Sequence, residues 1–227
     1  MALNVLSAGA AKAVVNAIAA QTGLALSGAF GAVGAMRDRL LAGEACDVIV
    51  LTRAMIEDLA AHGRVPRDTI GDLGRVRTGV AVKTGVPLPD TASAAGLRAA
   101  LLAADAIYVP DTVKSTAGKH VATVLDSLGI AEEVRGRLRE FPNGAAAMRA
   151  MGEAPGQGAI GCTQISEILY TGGITLVGPL PAEFELATVY SAAVCAQPTN
   201  TVDARRFVAL LSGESTRPLR SKSGFEA

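Results

Sequence analysis

The side chains that could do chemistry in this chain sit on short connections, as hydroxyls and cations near runs of small residues. The most polar of these connections is Pro110-Asp111-Thr112-Val113-Lys114-Ser115-Thr116-Ala117-Gly118-Lys119-His120. The hydroxyls of Ser115 and Thr116, the backbone N–H groups beyond them and the Lys114 ammonium can surround a small anion. Ser115 or Thr116 can equally do no more than cap the helix that follows. Ser7-Ala8-Gly9-Ala10 follows a predicted strand and opens a helix, so a ligand can reach N–H groups at the positive end of the helix dipole. Gly28-Ala29-Phe30-Gly31-Ala32-Val33-Gly34 has the same logic, or is a flexible glycine-rich connection. It is not a nucleotide P-loop, because no Gly-Lys-Ser/Thr follows.

Gly161-Cys162-Thr163-Gln164-Ile165-Ser166-Glu167 joins a buried strand to a helix. Thr163 is a candidate N-cap with Ser166 and Glu167 in the first turn, or Thr163 and Gln164 face a ligand. Arg53 follows a strand where its guanidinium fork could hold a carboxylate. His120 falls in the first turns of a helix, where a structural role is the ordinary one. The sequence has no Ser/His/Asp pattern, no His-Glu-x-x-His and no dinucleotide fingerprint. No cofactor is expected. Cys46, Cys162 and Cys195 are far apart, with only His62 and His120 to join them. Neither a zinc site nor a disulfide framework is expected, and the three read as small buried thiols.

The elements that must position these groups alternate between strand and helix. Strands are predicted at 3–7, 24–27 and 47–51, and helices at 11–21, 35–42 and 55–61. This βαβαβ order argues for a parallel sheet with covering helices. A strand at 78–83 and the turn-rich Val86-Pro87-Leu88-Pro89-Asp90 mark a change. A second set follows: helices at 97–103, 116–128, 145–151 and 165–170, with strands at 106–109, 158–162 and 175–177. A long strand at 187–194 and a helix at 203–211 close the chain. Two sets of ordinary domain size predict an α/β protein of two lobes with a ligand cleft between them. Ligands of such sheets bind beyond the carboxyl ends of strands. The candidate loops are residues 7–10, 28–34, 52–53, 110–118, 142–144 and 161–164. They include Ser7, Gly9, Ala10, Val33, Gly34, Arg53, Ser115, Thr116, Ala117, Pro142, Gly144, Gly161, Thr163 and Gln164.

Composition narrows the function classes. The chain of 227 residues carries 21 Lys+Arg against 21 Asp+Glu, which argues against a broad electrostatic footprint for nucleic acid or anionic membrane. Aromatics are 4% and Trp is absent, so a stacking platform for single strands is not expected. No stretch approaches the length of a membrane span, and no membrane insertion is expected. Residues 8–20 are rich in Ala and Val, but Lys12 and Asn16 interrupt them and no basic segment precedes them. They read as a strand entering a helix, so the chain as given is expected to be cytoplasmic, or periplasmic if a leader has been removed.

Several segments resemble the periplasmic molybdate-binding proteins of ABC transporters. They are Val5-Leu6-Ser7-Ala8-Gly9-Ala10, Phe30-Gly31-Ala32-Val33-Gly34-Ala35-Met36 and Leu41-Ala42-Gly43-Glu44-Ala45-Cys46-Asp47-Val48. Further on, Glu153-Ala154-Pro155 before Gly158-Ala159-Ile160-Gly161 fits, as does Thr188-Val189-Tyr190-Ser191-Ala192-Ala193-Val194. The resemblance covers nearly the whole chain. It implies a type II periplasmic-binding-protein fold, with lobe 1 formed by residues 1–80 and 190–227 and lobe 2 by residues 81–189. It also implies an anion held by hydroxyls and backbone amides, and a transporter permease as partner. Carried over by position, the pocket includes Ala10, Val33, Ala117, Pro142 and Gly161. The family's molybdate binders use serine at the first two and tyrosine at the last, so this chain lacks three side-chain hydroxyls. Pro142 has no N–H to give. Each missing hydrogen bond to a charged ligand is worth about 1.5–3 kcal/mol. The resemblance therefore implies a solute-binding protein for a small anion, an organic carboxylate or other oxyanion rather than molybdate. Aconitate isomerase is similar to the same family. That branch implies an alternative, an isomerase of a small polycarboxylate, with Lys114, His120, Glu167 and Tyr190 as acid–base groups and Arg53 as carboxylate anchor.

Overall fold

The structure is a computed structural model that describes residues 2–227. From the amino end, β1 (Leu3–Ala8) enters a short 3-10 turn (Gly9–Ala11) and α1 (Lys12–Thr22). Then come β2 (Leu26–Gly31), α2 (Val33–Leu41), β3 (Val48–Thr52), α3 (Arg53–Ala61) and the long β4 (Gly71–Lys83). The second half runs α4 (Ala94–Ala103), β5 (Ala106–Pro110), α5 (Thr116–Ser127), α6 (Ala131–Val134), β6 (Leu138–Phe141), α7 (Gly144–Glu153), β7 (Ala159–Gln164), α8 (Ile165–Tyr170) and β8 (Ile174–Pro179). The chain ends with β9 (Ala187–Val194), α9 (Thr201–Ser212) and α10 (Arg217–Lys222).

The chain divides into two compact units, Met1–Val76 with Thr188–Ala227, and Arg77–Ala187. The first passage between them falls inside β4, because that strand begins at Gly71, seven residues before the predicted start.

In the first unit β1 pairs in parallel with β2 and β3, and β9 pairs antiparallel with β3. Its core is aliphatic: Leu6, Ile18, Ile49, Leu51, Ile56 and Leu59 are buried, with Phe207 from α9. Asp47 is a buried carboxylate among these residues. Its carboxylate accepts from the N–H of Asn4 at 2.7 Å and from the hydroxyl of Thr199 at 2.8 Å, tying the starts of β1 and β3 to the segment before α9. Burial alone would raise its pKa. The N–H of Asn4, the hydroxyl and N–H of Thr199 and the N–H of Asn200 outweigh burial and hold the pKa below the ordinary aspartate value.

In the second unit β4 pairs antiparallel with β7 and β8, and β5 pairs in parallel with β6 and β7. Strand alternation sorts the core onto two faces. Val80, Val82, Ile160 and Cys162 join Leu97, Leu101, Val121 and Leu125. Ala81 and Ala159 turn the other way, onto Ala147, Met148 and Met151 of α7.

The structure corrects the reading of residues 28–34 as a loop, because β2 continues to Gly31. Gly28 has φ +129° and lies so close to β1 that a Cβ there would meet the Val5 carbonyl oxygen at 2.0 Å. This glycine permits strand pairing rather than a flexible connection. The connection read at 161–164 is also strand, since β7 runs to Gln164. Three short elements, α6, β6 and α10, have no counterpart among the predicted ones. The four-residue β6 has no apolar run to announce it. The polar α10 is anchored by Arg220, whose guanidinium donates to the Gly213 carbonyl and the Thr216 hydroxyl, each at 2.7 Å.

Candidate functional site

In the first unit the ends of β1 and β2 lie side by side, with Ala8 opposite Gly31. The turn at Gly9–Ala11 and the start of α2 at Val33 therefore follow neighbouring strand ends. The N-cap positions there are Ala8, Ala11 and Ala32, none of which has a side-chain oxygen to accept from the first N–H groups. Ala10, Val33 and Gly34 are buried at these starts. The Ser7 hydroxyl is buried and donates to the Ala8 carbonyl at 3.1 Å. Lys12, the first residue of α1, brings a positive charge to the same place, its ammonium 5.7 Å from the centre of the Phe30 ring. In the sequence Lys12 figures only as a break in an apolar run, not as a candidate site residue. Its signal was available, a cation directly after the Gly9-Ala10 turn.

Arg53, at the start of α3, is engaged within its own unit. Its guanidinium donates to Glu57 at 3.0 Å and to Asp72 at 2.5 Å, and Asp72 also accepts from the Ser191 hydroxyl at 2.6 Å. The bond to Glu57, then the charge of Asp72, raises the Arg53 pKa. The carboxylate partners expected of Arg53 are thus supplied by the chain itself.

In the second unit Pro110 lies opposite Phe141, so the ends of β5 and β6 are neighbours. Here the turns carry their own oxygens. Asp111 accepts from the N–H groups of Lys114 at 2.8 Å and Val113 at 2.7 Å, which in that order lower its pKa. Ser115 caps α5, its hydroxyl accepting from the Gly118 N–H at 3.4 Å. Thr116 opens the helix, and Ala117 is buried in its first turn. Asn143 caps α7, accepting from the Ala146 N–H at 2.9 Å. Pro142 is exposed immediately before it.

A buried carboxyl group completes the start of α7. Glu167 accepts from the Thr163 hydroxyl at 2.7 Å and from the Ala145 N–H at 3.3 Å. Burial raises its pKa above the ordinary glutamate value, against hydrogen bonds from Thr163, Ala145 and Gly144 that lower it. Gly144 has no room for a side chain, because a Cβ would come within 1.9 Å of Thr163 Oγ1 and 2.0 Å of Glu167 Oε2. Gln164, not Thr163, is the N-cap of α8, and its side chain does not cap it. Thr163 instead serves α7, reached through the fold rather than along the sequence. Gly161 lies mid-strand opposite Ala81 and Tyr108, where a Cβ would strike Met148 Cε at 2.4 Å.

The remaining acid–base groups named from the sequence have separate local surroundings. His120 Nε2 lies 2.7 Å from the Phe184 carbonyl oxygen, and Lys114 is exposed. Tyr190 is buried and packs edge-on against Phe225. Among the described residues no group of three or more His, Cys, Asp or Glu could hold a metal ion. No helix among them is long and apolar enough to cross a membrane.

A family model described as bacterial extracellular solute-binding protein matches residues 3–226. An aconitate isomerase from Pseudomonas sp. is 26% identical over 194 residues, covering 85% of this chain and 71% of that protein. Among solved structures, the periplasmic molybdate-binding protein of Azotobacter vinelandii superposes with a TM-score of 0.78 at 17% identity, covering 99% of each chain. The sulfate-binding protein of Mycobacterium tuberculosis H37Rv gives 0.72 at 18% identity, over 99% of this chain and 86% of that one.

Proposed function

We propose, from the premise that this chain belongs to the bacterial extracellular solute-binding protein family, that it binds a small organic carboxylate. The observation that carries the reading is the pair of adjacent strand ends in the first unit. Ala8, Ala11 and Ala32 leave N–H groups at helix starts without a side-chain acceptor, and Lys12 adds a full positive charge beside them. Such N–H groups favour an anion. Ala10 and Val33 offer no hydroxyl to a tetrahedral oxyanion, and their apolar surface suits the carbon skeleton of an organic acid. Ser115 and Thr116 are the second unit's candidates, since a capping hydroxyl still has a proton to donate. A membrane permease is the expected receiver of the ligand.

The 26% identical aconitate isomerase supports the same ligand class and favours a second reading, isomerisation of a tricarboxylate. Moving an allylic proton needs a base at a carbon acid. Both readings are tested with cis-aconitate, trans-aconitate, citrate, sulfate and molybdate. Ligand at about one hundred times Kd stabilises the folded state by about 2.7 kcal/mol, a shift of several degrees in Tm. The expected result is a shift with a tricarboxylate and none with molybdate; a shift with molybdate alone overturns the carboxylate reading. Conversion of cis- to trans-aconitate, followed by NMR, decides between binder and isomerase.

A further inference from the structure

The three cysteines look unrelated in the sequence, but folding brings two of them together. The antiparallel pairing of β3 with β9 sets Val48 opposite Val194, and the Cys195 N–H donates to the Asp47 carbonyl oxygen at 2.9 Å. Cys46 and Cys195 thus stand at the same end of this strand pair. Both line one cavity of about 290 Å³, with Gly43, Arg64, Ala196 and Gln197. Cys46 Sγ lies 3.2 Å from the Val48 carbonyl oxygen. Cys162 is buried in the core of the other unit and shares neither the cavity nor the strand pair.

We propose that Cys46 and Cys195 form a reversible disulfide that staples β9 to the entry of β3 inside the first unit. The loop it closes contains the whole of Arg77–Ala187. The reaction uses a small-molecule disulfide as oxidant. The two thiols lose their hydrogens and one S–S bond forms. The oxidant's S–S bond breaks, and it takes up the two electrons and two protons as two thiols. Such oxidation belongs to extracytoplasmic compartments, in keeping with a family described as extracellular. Neighbouring Cys46, burial and the charge of Asp47 push the Cys195 thiol pKa up, which slows the exchange. A cross-link over so long a loop stabilises chiefly by restricting the unfolded chain.

The test is intact-mass analysis of the folded wild-type protein after incubation with oxidised glutathione, then digestion without reductant. The expected result is a loss of two hydrogens, one cross-linked peptide pair holding Cys46 and Cys195, a Tm raised by about 5–10 °C, and reversal by dithiothreitol. C195S should abolish the mass loss and leave Tm insensitive to the oxidant. The wild-type measurement needs no variant to fold. An unchanged mass, a cross-link through Cys162, or glutathione adducts in place of the internal bond overturns the proposal.

Discussion

The two units solve the same local problem in opposite ways. Each places two helix starts beyond adjacent parallel strands, at Ala8 and Gly31 in one and at Pro110 and Phe141 in the other. Every such start exposes backbone N–H groups that need an acceptor. The second unit supplies its own, through Ser115, Asn143 and the buried Glu167. The first unit supplies none at Ala8, Ala11 or Ala32 and places Lys12 nearby. A start already satisfied by its own chain gains less from an incoming anion than one that is not. Under the proposed carboxylate reading, the difference predicts the larger share of ligand charge recognition for the first unit and a self-contained role for α7 in the second.

The largest effect should come from filling the space at Gly144. Gly144→Ala forces a methyl group into Thr163 Oγ1 and Glu167 Oε2 and should cost about 3 kcal/mol, read from urea unfolding.

The two buried carboxyl groups should next respond to pH in opposite directions. Asp47 has a lowered pKa. Its stabilisation is complete above the ordinary aspartate value and is lost as pH falls through the folded value. Glu167 has a raised pKa. The folded protein holds that proton more tightly, so stability falls as pH rises from the ordinary glutamate value through the raised one. Asp47→Asn should therefore cost about 2 kcal/mol near neutrality and less in acid. The stability of Glu167→Gln relative to wild type should improve as pH rises. Unfolding curves from about pH 3 to about pH 8 check both signs.

Smaller changes exchange the character of the two units. Asn143→Ala removes the cap of α7 and should cost about 1 kcal/mol, while leaving carboxylate affinity within about threefold, because this start has Glu167 as a second acceptor. Ala32→Ser gives α2 the cap it lacks and should stabilise by about 0.5 kcal/mol. In exchange it should weaken carboxylate binding, as the new hydroxyl competes for the same N–H groups; calorimetry reads both affinities.

Much of this frame was legible in the sequence, and the exceptions share a cause. Residues 165–170 and 187–194 are helix and strand as the sequence predicts. Residues 28–31 were read as loop because glycine marks turns far more often than it admits a neighbouring strand, and only the approach to Val5 tells the two apart. The link from Thr163 through Glu167 to the start of α7 joins residues that no local motif connects. Cys46 and Cys195 line one cavity only because β9 returns to β3. Local propensity shows where helices start, but which starts are already satisfied depends on side chains that arrive from elsewhere.

Amide chemical-shift titration of the wild-type protein with cis-aconitate and citrate tests the central claim most directly. The account predicts saturable shifts that are largest at residues 9–12 and 32–34, with the capped amides of Ala145 and Ala146 moving least. Saturable shifts at Ala145 and Ala146 with none at residues 9–12 and 32–34 would contradict it.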